Sequence, residues 1–230
     1  MITVGITGNA GAGKSEVAAA WLEQGIEVID ADEVAHQVLD EDRELRRKLA
    51  IEFGDQVLEP SASAEVGSIN RLELARRAFA TPEGTRALNR IVHPTILARL
   101  SQRLADARHR AAHAAGQETP SRRLVAVDAA LIFETGAEEL FDRIILVTAP
   151  PATRIARLRQ RGLNEAQIAG VIVGQVSDTQ KVDRADYVIH NQGSVEELRA
   201  EALEVLTRLL SSPAGEASRS RKHPSPGPRR

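Results

Sequence analysis

Eight consecutive residues near the amino terminus, Gly8-Asn9-Ala10-Gly11-Ala12-Gly13-Lys14-Ser15, match the pattern G-x-x-x-x-G-K-[ST] in full. Glycines let successive backbone N–H groups curl around an anion where a side chain would clash. The partial charge of a following helix adds to the field at the same place. In such a P-loop, Lys14 reaches the β- and γ-phosphates of a nucleoside triphosphate and Ser15 ligates Mg²⁺. The flanks agree. Ile2-Thr3-Val4-Gly5-Ile6-Thr7 is short and β-branched, as a buried strand is. Glu16-Val17-Ala18-Ala19-Ala20-Trp21-Leu22 is rich in helix formers, and Gly25 stops that helix. Ile26 to Ile29 then give a second strand, closing a strand–helix–strand unit expected to be parallel and right-handed.

From about Ala31 to Ala112 the pattern is helical almost throughout, and the stripe of Ile96, Leu97, Leu100 and Leu104 has a helical period. Thr81-Pro82-Glu83 and His93-Pro94 are expected to punctuate these helices. Gly116-Gln117-Glu118-Thr119-Pro120 reads as a surface loop. Strands return at Leu124–Val127, Arg143–Val147 and Tyr187–Ile189, with helices expected over Pro151–Arg161, Glu165–Gln175 and Val195–Leu210. Strands alternating with helices predict an α/β fold, a P-loop three-layer sandwich with a mainly parallel sheet of about five strands. The helical stretch is too long for a simple crossover. The expected organisation is one domain over 1–210, with its core at 1–32 and 122–210, a helical acceptor lobe at about 33–121 and a lid at about 151–180.

Composition narrows the function classes. With 42% hydrophobic residues the chain can build a core, and no run approaches a membrane span, so no membrane association is expected. The absence of cysteine excludes disulfides and thiolate metal sites. Met1 leads directly into a strand-like run without a basic segment, so a cytoplasmic chain without a secretory leader is expected. The net charge is −2, but residues 213–230 carry +4, which leaves about −6 for the rest. This segment, within a 211–230 tail read as disordered, has four prolines and no aromatic residue to stack on bases. No nucleic-acid partner is expected.

The phosphate side of the site thus comprises Gly8, Gly11, Ala12, Gly13, Lys14, Ser15 and the adjoining Glu16. On the acceptor side, Asp30-Ala31-Asp32 ends the second strand at the sheet edge where ligands bind. One carboxylate there can take the proton of an attacking hydroxyl, while aspartate at this position can also cap the next helix. Asp32 is the favoured base. Asp128, after the third strand, is a possible Mg²⁺-linked acid or a strand-end hydrogen-bond acceptor. Arg154, Arg157 and Arg161 share one helical face by their spacing, which suits either an exposed helix or a set of cations closing on the triphosphate. The Asn-Lys-x-Asp and Asp-x-x-Gly segments of small GTPases are absent.

Taken together the chain resembles the dephospho-CoA kinase family from about residue 2 to about residue 208. The resemblance rests on Gly25 to Asp32 followed by Ala35, on Arg71, Phe79, Pro82, Leu88, Asn89 and His93-Pro94 in order, and on Leu131-Ile132-Phe133-Glu134. It continues through Gln175, Lys181 and Ala185 to Gly193. It implies phosphoryl transfer from ATP and Mg²⁺ to the ribose 3′-hydroxyl of dephospho-CoA. Asp32 would then align or deprotonate the hydroxyl, with Lys14, Arg154 and Arg161 on the moving phosphoryl group and Arg157 on the nucleotide. Arg71, His93 and Glu134 would bind the acceptor, and Asn191 would sit near the adenine. Four positions depart from the family pattern: Glu16, His36, Ala130 and Val171. Of these, Glu16 brings a negative charge toward the phosphates and is expected to weaken ATP binding, and Val171 removes a lid arginine. A nucleoside monophosphate kinase and a nucleotide-gated binding protein using the basic tail are the rival readings.

Overall fold

The protein was analysed as a computed structural model that describes residues 1–60, 66–113, 123–173 and 175–211. The loop expected at 116–120 and the basic residues 213–230 lie outside the described residues. The chain divides into two compact units, one of residues 1–29 with 107–230 and one of residues 30–106.

The first unit is built on five strands, β1 (Ile2–Thr7), β2 (Glu27–Asp30), β3 (Leu124–Asp128), β4 (Arg143–Thr148) and β5 (Tyr187–His190). They form one parallel sheet in the order β2-β3-β1-β4-β5. In register, Val4 lies beside Ala126 and Arg143, and Thr148 beside His190. Because helices cover both faces, these strands are apolar almost without alternation. Helices α1 (Lys14–Glu23) and α10 (Val195–Ser211) share one buried cluster with Val4, Ile6, Leu124, Ala126, Ile145, Val147 and Ile189. At its centre the fully buried Trp21 donates its indole N–H to Ala202 O at 2.8 Å, so its one polar atom is satisfied. On the opposite face Gly5 leaves room for Ile132 and the Phe141 ring. Acids just ahead of two strands fix their starts. Asp142 Oδ2 accepts both the Thr3 N–H and the Thr3 hydroxyl, and Asp186 Oδ2 accepts the Ile144 N–H.

Further along come the short α6 (Ile132–Thr135), α7 (Pro151–Gln160), α8 (Glu165–Val173) and α9 (Asp178–Val182). Among the described residues no helix is long and apolar enough to cross a membrane.

The second unit holds α2 (Ala31–Glu41), α3 (Arg43–Phe53), α4 (Arg71–Ala78) and most of α5 (Pro82–His113). Each start is marked by its cap: Asp42 accepts the Leu45 N–H at 2.9 Å, and Asn70 the Glu73 N–H at 3.0 Å. Two features differ from the sequence reading. A 3₁₀ turn at Asp55–Val57 and an antiparallel bridge between Leu58 and Ile69 interrupt what reads as continuous helix. Conversely, α5 runs straight past His93-Pro94, with Pro94 in its interior. An interior proline costs about 3 kcal/mol. The seam of Ala87, Val92, Leu100 and Leu104, buried on both sides of Pro94, offsets that cost.

Within this unit Glu73 bonds Arg76 and Arg77, and Arg77 in turn donates to Phe53 O at 2.7 Å, closing the end of α3. Arg76 first and then Arg77 hold the Glu73 carboxyl down at about 2. Because its folded value is depressed, its stabilising contribution is present above the ordinary value near 4.5 and is lost as pH falls toward 2. Thermal denaturation of Glu73→Gln against wild type is expected to show a deficit at pH 7 that closes across this interval.

Candidate active site

The P-loop leaves β1 at Thr7 and enters α1 at Lys14. Gly13 is the N-cap of α1 with φ at 103°, a left-handed conformation, and no side chain caps the helix. A side chain at Gly13 would run into the Asn191 amide, and one at Gly11 (φ 78°) would lie 2.7 Å from Arg154 O. Only glycine fits either position. The loop uses the Ala12 N–H internally, bonded to Asn9 O. The N–H groups of Gly11, Gly13, Lys14 and Ser15 have no hydrogen-bond partner among the described residues. Neither the Lys14 amine nor the Ser15 hydroxyl has one there either. Four unclaimed donors, a helix N-terminus and a free amine form an anion site suited to a polyphosphate.

Side chains from later elements hold this loop. Arg157, on α7, donates from Nη1 to Gly11 O and from Nη2 to Asn191 Oδ1, both at 3.1 Å. Asn191, 4% exposed just past β5, donates to Ala12 O at 2.7 Å. Its amide therefore serves the loop, between His190 and Gln192 in the chain. Beside it, beyond the ends of β4 and β5, opens a cavity of about 400 Å³ lined by Thr148, Pro150, Asp178, Val182, His190 and Gln192 among others.

The three arginines part company. Arg154 is nearly buried, 3.6 Å from Asp178, and its Nε has no partner. Arg157 is committed to the loop. Arg161 is the exposed C-cap of α7, and its guanidinium has no partner among the described residues. Glu16 faces Arg199 at 3.6 Å, and Arg199 also pairs with Glu23. The negative charge that looked adverse to ATP is thus matched locally, though such an exposed pair is weak.

Asp128 ends β3 beside Ile6. Glu134, expected to bind the acceptor, is engaged within the first unit: its Oε1 accepts from Lys181 Nζ at 2.8 Å and from the Val176 N–H at 3.0 Å, while Oε2 is buried without a partner among the described residues. Sequence reading attached no role to Lys181. The amine is fully buried, a rare setting for lysine.

In the second unit β2 ends at Asp30, so Asp30 and Asp32 do not share an extended segment as expected. Asp30 is the N-cap of α2 and accepts the N–H groups of Asp32 and Glu33 at 2.8 and 3.3 Å. Asp32 is exposed in the first turn, its carboxylate without a partner among the described residues. Arg71 pairs with Asp40 at 2.7 Å. His93 is half-buried, and burial pushes its pKa below the usual histidine value, favouring the neutral ring. His36 is exposed. No group of three or more His, Asp or Glu side chains that could hold a metal occurs among the described residues. A divalent ion here would need phosphate oxygens beside the Ser15 hydroxyl, which suits an ion arriving with its nucleotide.

Asp30→Ala is expected to lower stability by about 1 kcal/mol, the usual worth of a cap. Asp30→Ser restores most of that loss, as read by urea denaturation.

A model of the dephospho-CoA kinase family matches residues 2–197. The chain is 39% identical over 199 residues to the dephospho-CoA kinase of Corynebacterium jeikeium, covering 86% of this chain and 94% of that protein. It is 35% identical over 210 residues to that of Chlorobaculum tepidum, covering 91% and 96%. Among solved structures, a Thermus thermophilus protein aligns with a TM-score of 0.69 at 32% identity, covering 90% of this chain and 97% of that one. The dephospho-CoA kinase from Campylobacter jejuni shares the fold, with a TM-score of 0.57 at 24% identity over 90% and 96% of the two chains. This chain therefore belongs to the dephospho-CoA kinase family.

Proposed function

We propose that the protein transfers the γ-phosphoryl group of ATP to the ribose 3′-hydroxyl of dephospho-CoA, giving CoA and ADP. The observation that carries this reading is the unclaimed anion cradle at the start of α1, with Lys14 free beside it. Family membership supplies the acceptor.

The N–H groups of Gly11, Gly13, Lys14 and Ser15 bind the phosphate oxygens, and the Lys14 amine follows the charge as it moves during transfer. Ser15 would hold Mg²⁺, with Asp128 as a further partner; the ion would supply neutralisation of the phosphate charge. His190 and Gln192, on the walls of the cavity beyond β4 and β5 and on either side of Asn191 in the chain, receive the adenine. Arg154 leaves Asp178 for the transferring group, a small rearrangement because the pair at 3.6 Å is already loose. Arg161 adds a second cation. Asp32 takes the proton of the attacking hydroxyl, supported by its free carboxylate and by its place just past the carboxyl end of a sheet strand. Arg71 and His93 bind the acceptor, His93 as a neutral ring able to donate one hydrogen bond and accept another. With no cysteine to protect and both substrates small, the reaction is assigned to the cytoplasm.

Purified protein is expected to convert dephospho-CoA to CoA with ATP. Asp32→Asn lowers kcat by about 10²–10⁴-fold, the range of a lost general base, while ATP affinity stays unchanged. Preference for a nucleoside monophosphate over dephospho-CoA in the same assay would replace the acceptor assignment.

A further inference from the structure

Lys181 lies on α9 with no solvent exposure. Its amine donates to Asn9 Oδ1 at 2.7 Å and to Glu134 Oε1 at 2.8 Å. The rest of the Asn9 side chain is tied to the same segment, for Nδ2 donates to Asp178 Oδ1 at 2.7 Å and to Val176 O at 3.3 Å. The next residue follows suit, with the Ala10 N–H donating to Gln175 Oε1 at 3.1 Å. Both polar atoms of the Asn9 side chain are thus spent on residues 176–181.

We propose that Lys181, with Glu134 as its counter-ion, is a positioning residue for nucleotide binding that clamps the first half of the P-loop in its anion-binding shape. The inference rests on the nucleotide-binding reading above and extends it to groups that touch no phosphate. The physical reason lies in the loop. Three of its eight residues are glycine, and a chain with that freedom loses much conformational entropy on ordering. Arg157 and Asn191 fix the loop only at its middle, at Gly11 and Ala12. Asn9 and Ala10 depend on the segment that Lys181 anchors. A fully buried amine is tolerated only where its hydrogen bonds are made; one of those seen runs to Asn9 of the loop and the other to Glu134, which also accepts the Val176 N–H. Burial also keeps water from competing for Asn9, so the clamp is strong enough to be set before nucleotide arrives.

The test is titration calorimetry of the full chain with MgATP in the absence of any acceptor, run alongside thermal denaturation. Lys181→Met is expected to weaken ATP binding by about 10- to 100-fold, the worth of hydrogen bonds to a charged group, and to lower Tm because Glu134 is left buried and unpaired. Lys181→Met combined with Glu134→Gln removes the stranded charge and recovers most of the Tm, yet keeps the weak ATP binding. Asn9→Ala, which leaves the Lys181–Glu134 pair intact, cuts the clamp from the loop side and gives a similar loss even if Lys181→Met does not fold. The KM for dephospho-CoA stays unchanged in each folded variant. Wild-type ATP affinity in the double variant or in Asn9→Ala overturns the proposal and reduces the buried pair to a core element. Wild-type protein that binds ATP but leaves dephospho-CoA unphosphorylated overturns the acceptor assignment and leaves the clamp standing.

Discussion

An anion cradle made of backbone N–H groups has to keep those groups unpaired within the protein and still hold its shape. A loop that satisfied its own donors would have none to offer, and one held by nothing would collapse or fluctuate. Here the conflict is resolved by side chains that bind two of the loop's carbonyls and the Asn9 side chain, leaving four amides unclaimed. Arg157 and Asn191 hold the carbonyls of Gly11 and Ala12, and Lys181 and Asp178 hold Asn9. The anchors come from α7, from the turn after β5 and from α9. These anchors stand on elements that follow β4 or β5 in the chain, so the sheet that carries β1 also carries the groups that shape its loop.

The same dependence organises the charges. Glu16 and Glu23 are matched by Arg199, Arg154 by Asp178, and Lys181 by Glu134. Among the described residues Lys14, Arg157 and Arg161 face no carboxylate, Arg157 lies against the loop itself, and Lys14 stands at the positive end of α1. Pairing of the nearby acids with other cations leaves these groups and the helix end to make the field at the loop positive. At the Glu16 departure, Arg199 on a helix packed on the same face of the sheet supplies a counter-charge.

The parts of the fold legible in the sequence were those whose signal is local. Strands β1, β3, β4 and β5 show as short aliphatic runs because both faces are buried, and the P-loop shows because its chemistry fixes eight adjacent residues. What escaped depends on distant partners. Pro94 reads as a boundary by its own stereochemistry, yet α5 continues because an apolar seam extends on either side of it. The Leu58–Ile69 bridge is too short to leave any periodicity. Asn191 and Glu134 could be singled out by type and order, but their partners could not. Lys181 lies 172 residues from Asn9, and lysine is so commonly exposed that nothing local announces a buried one.

The two carboxylates at the start of α2 show how such ambiguity resolves into function. Aspartate at either position can cap a helix or face a ligand, and residue type does not choose between them. Backbone geometry does. Asp30 is still extended, with ψ at 116°, so its side chain folds back over the first turn and accepts two N–H groups. A carboxylate so engaged has less lone-pair capacity for a substrate proton. Asp32, already helical, cannot reach those donors and points away from them into solvent. The cap also stops the first turn from fraying, which fixes the backbone from which Asp32 projects. One acid therefore holds the other in place, and the free acid has its backbone set by a hydrogen bond that its own N–H donates to Asp30, which leaves its carboxylate unspent.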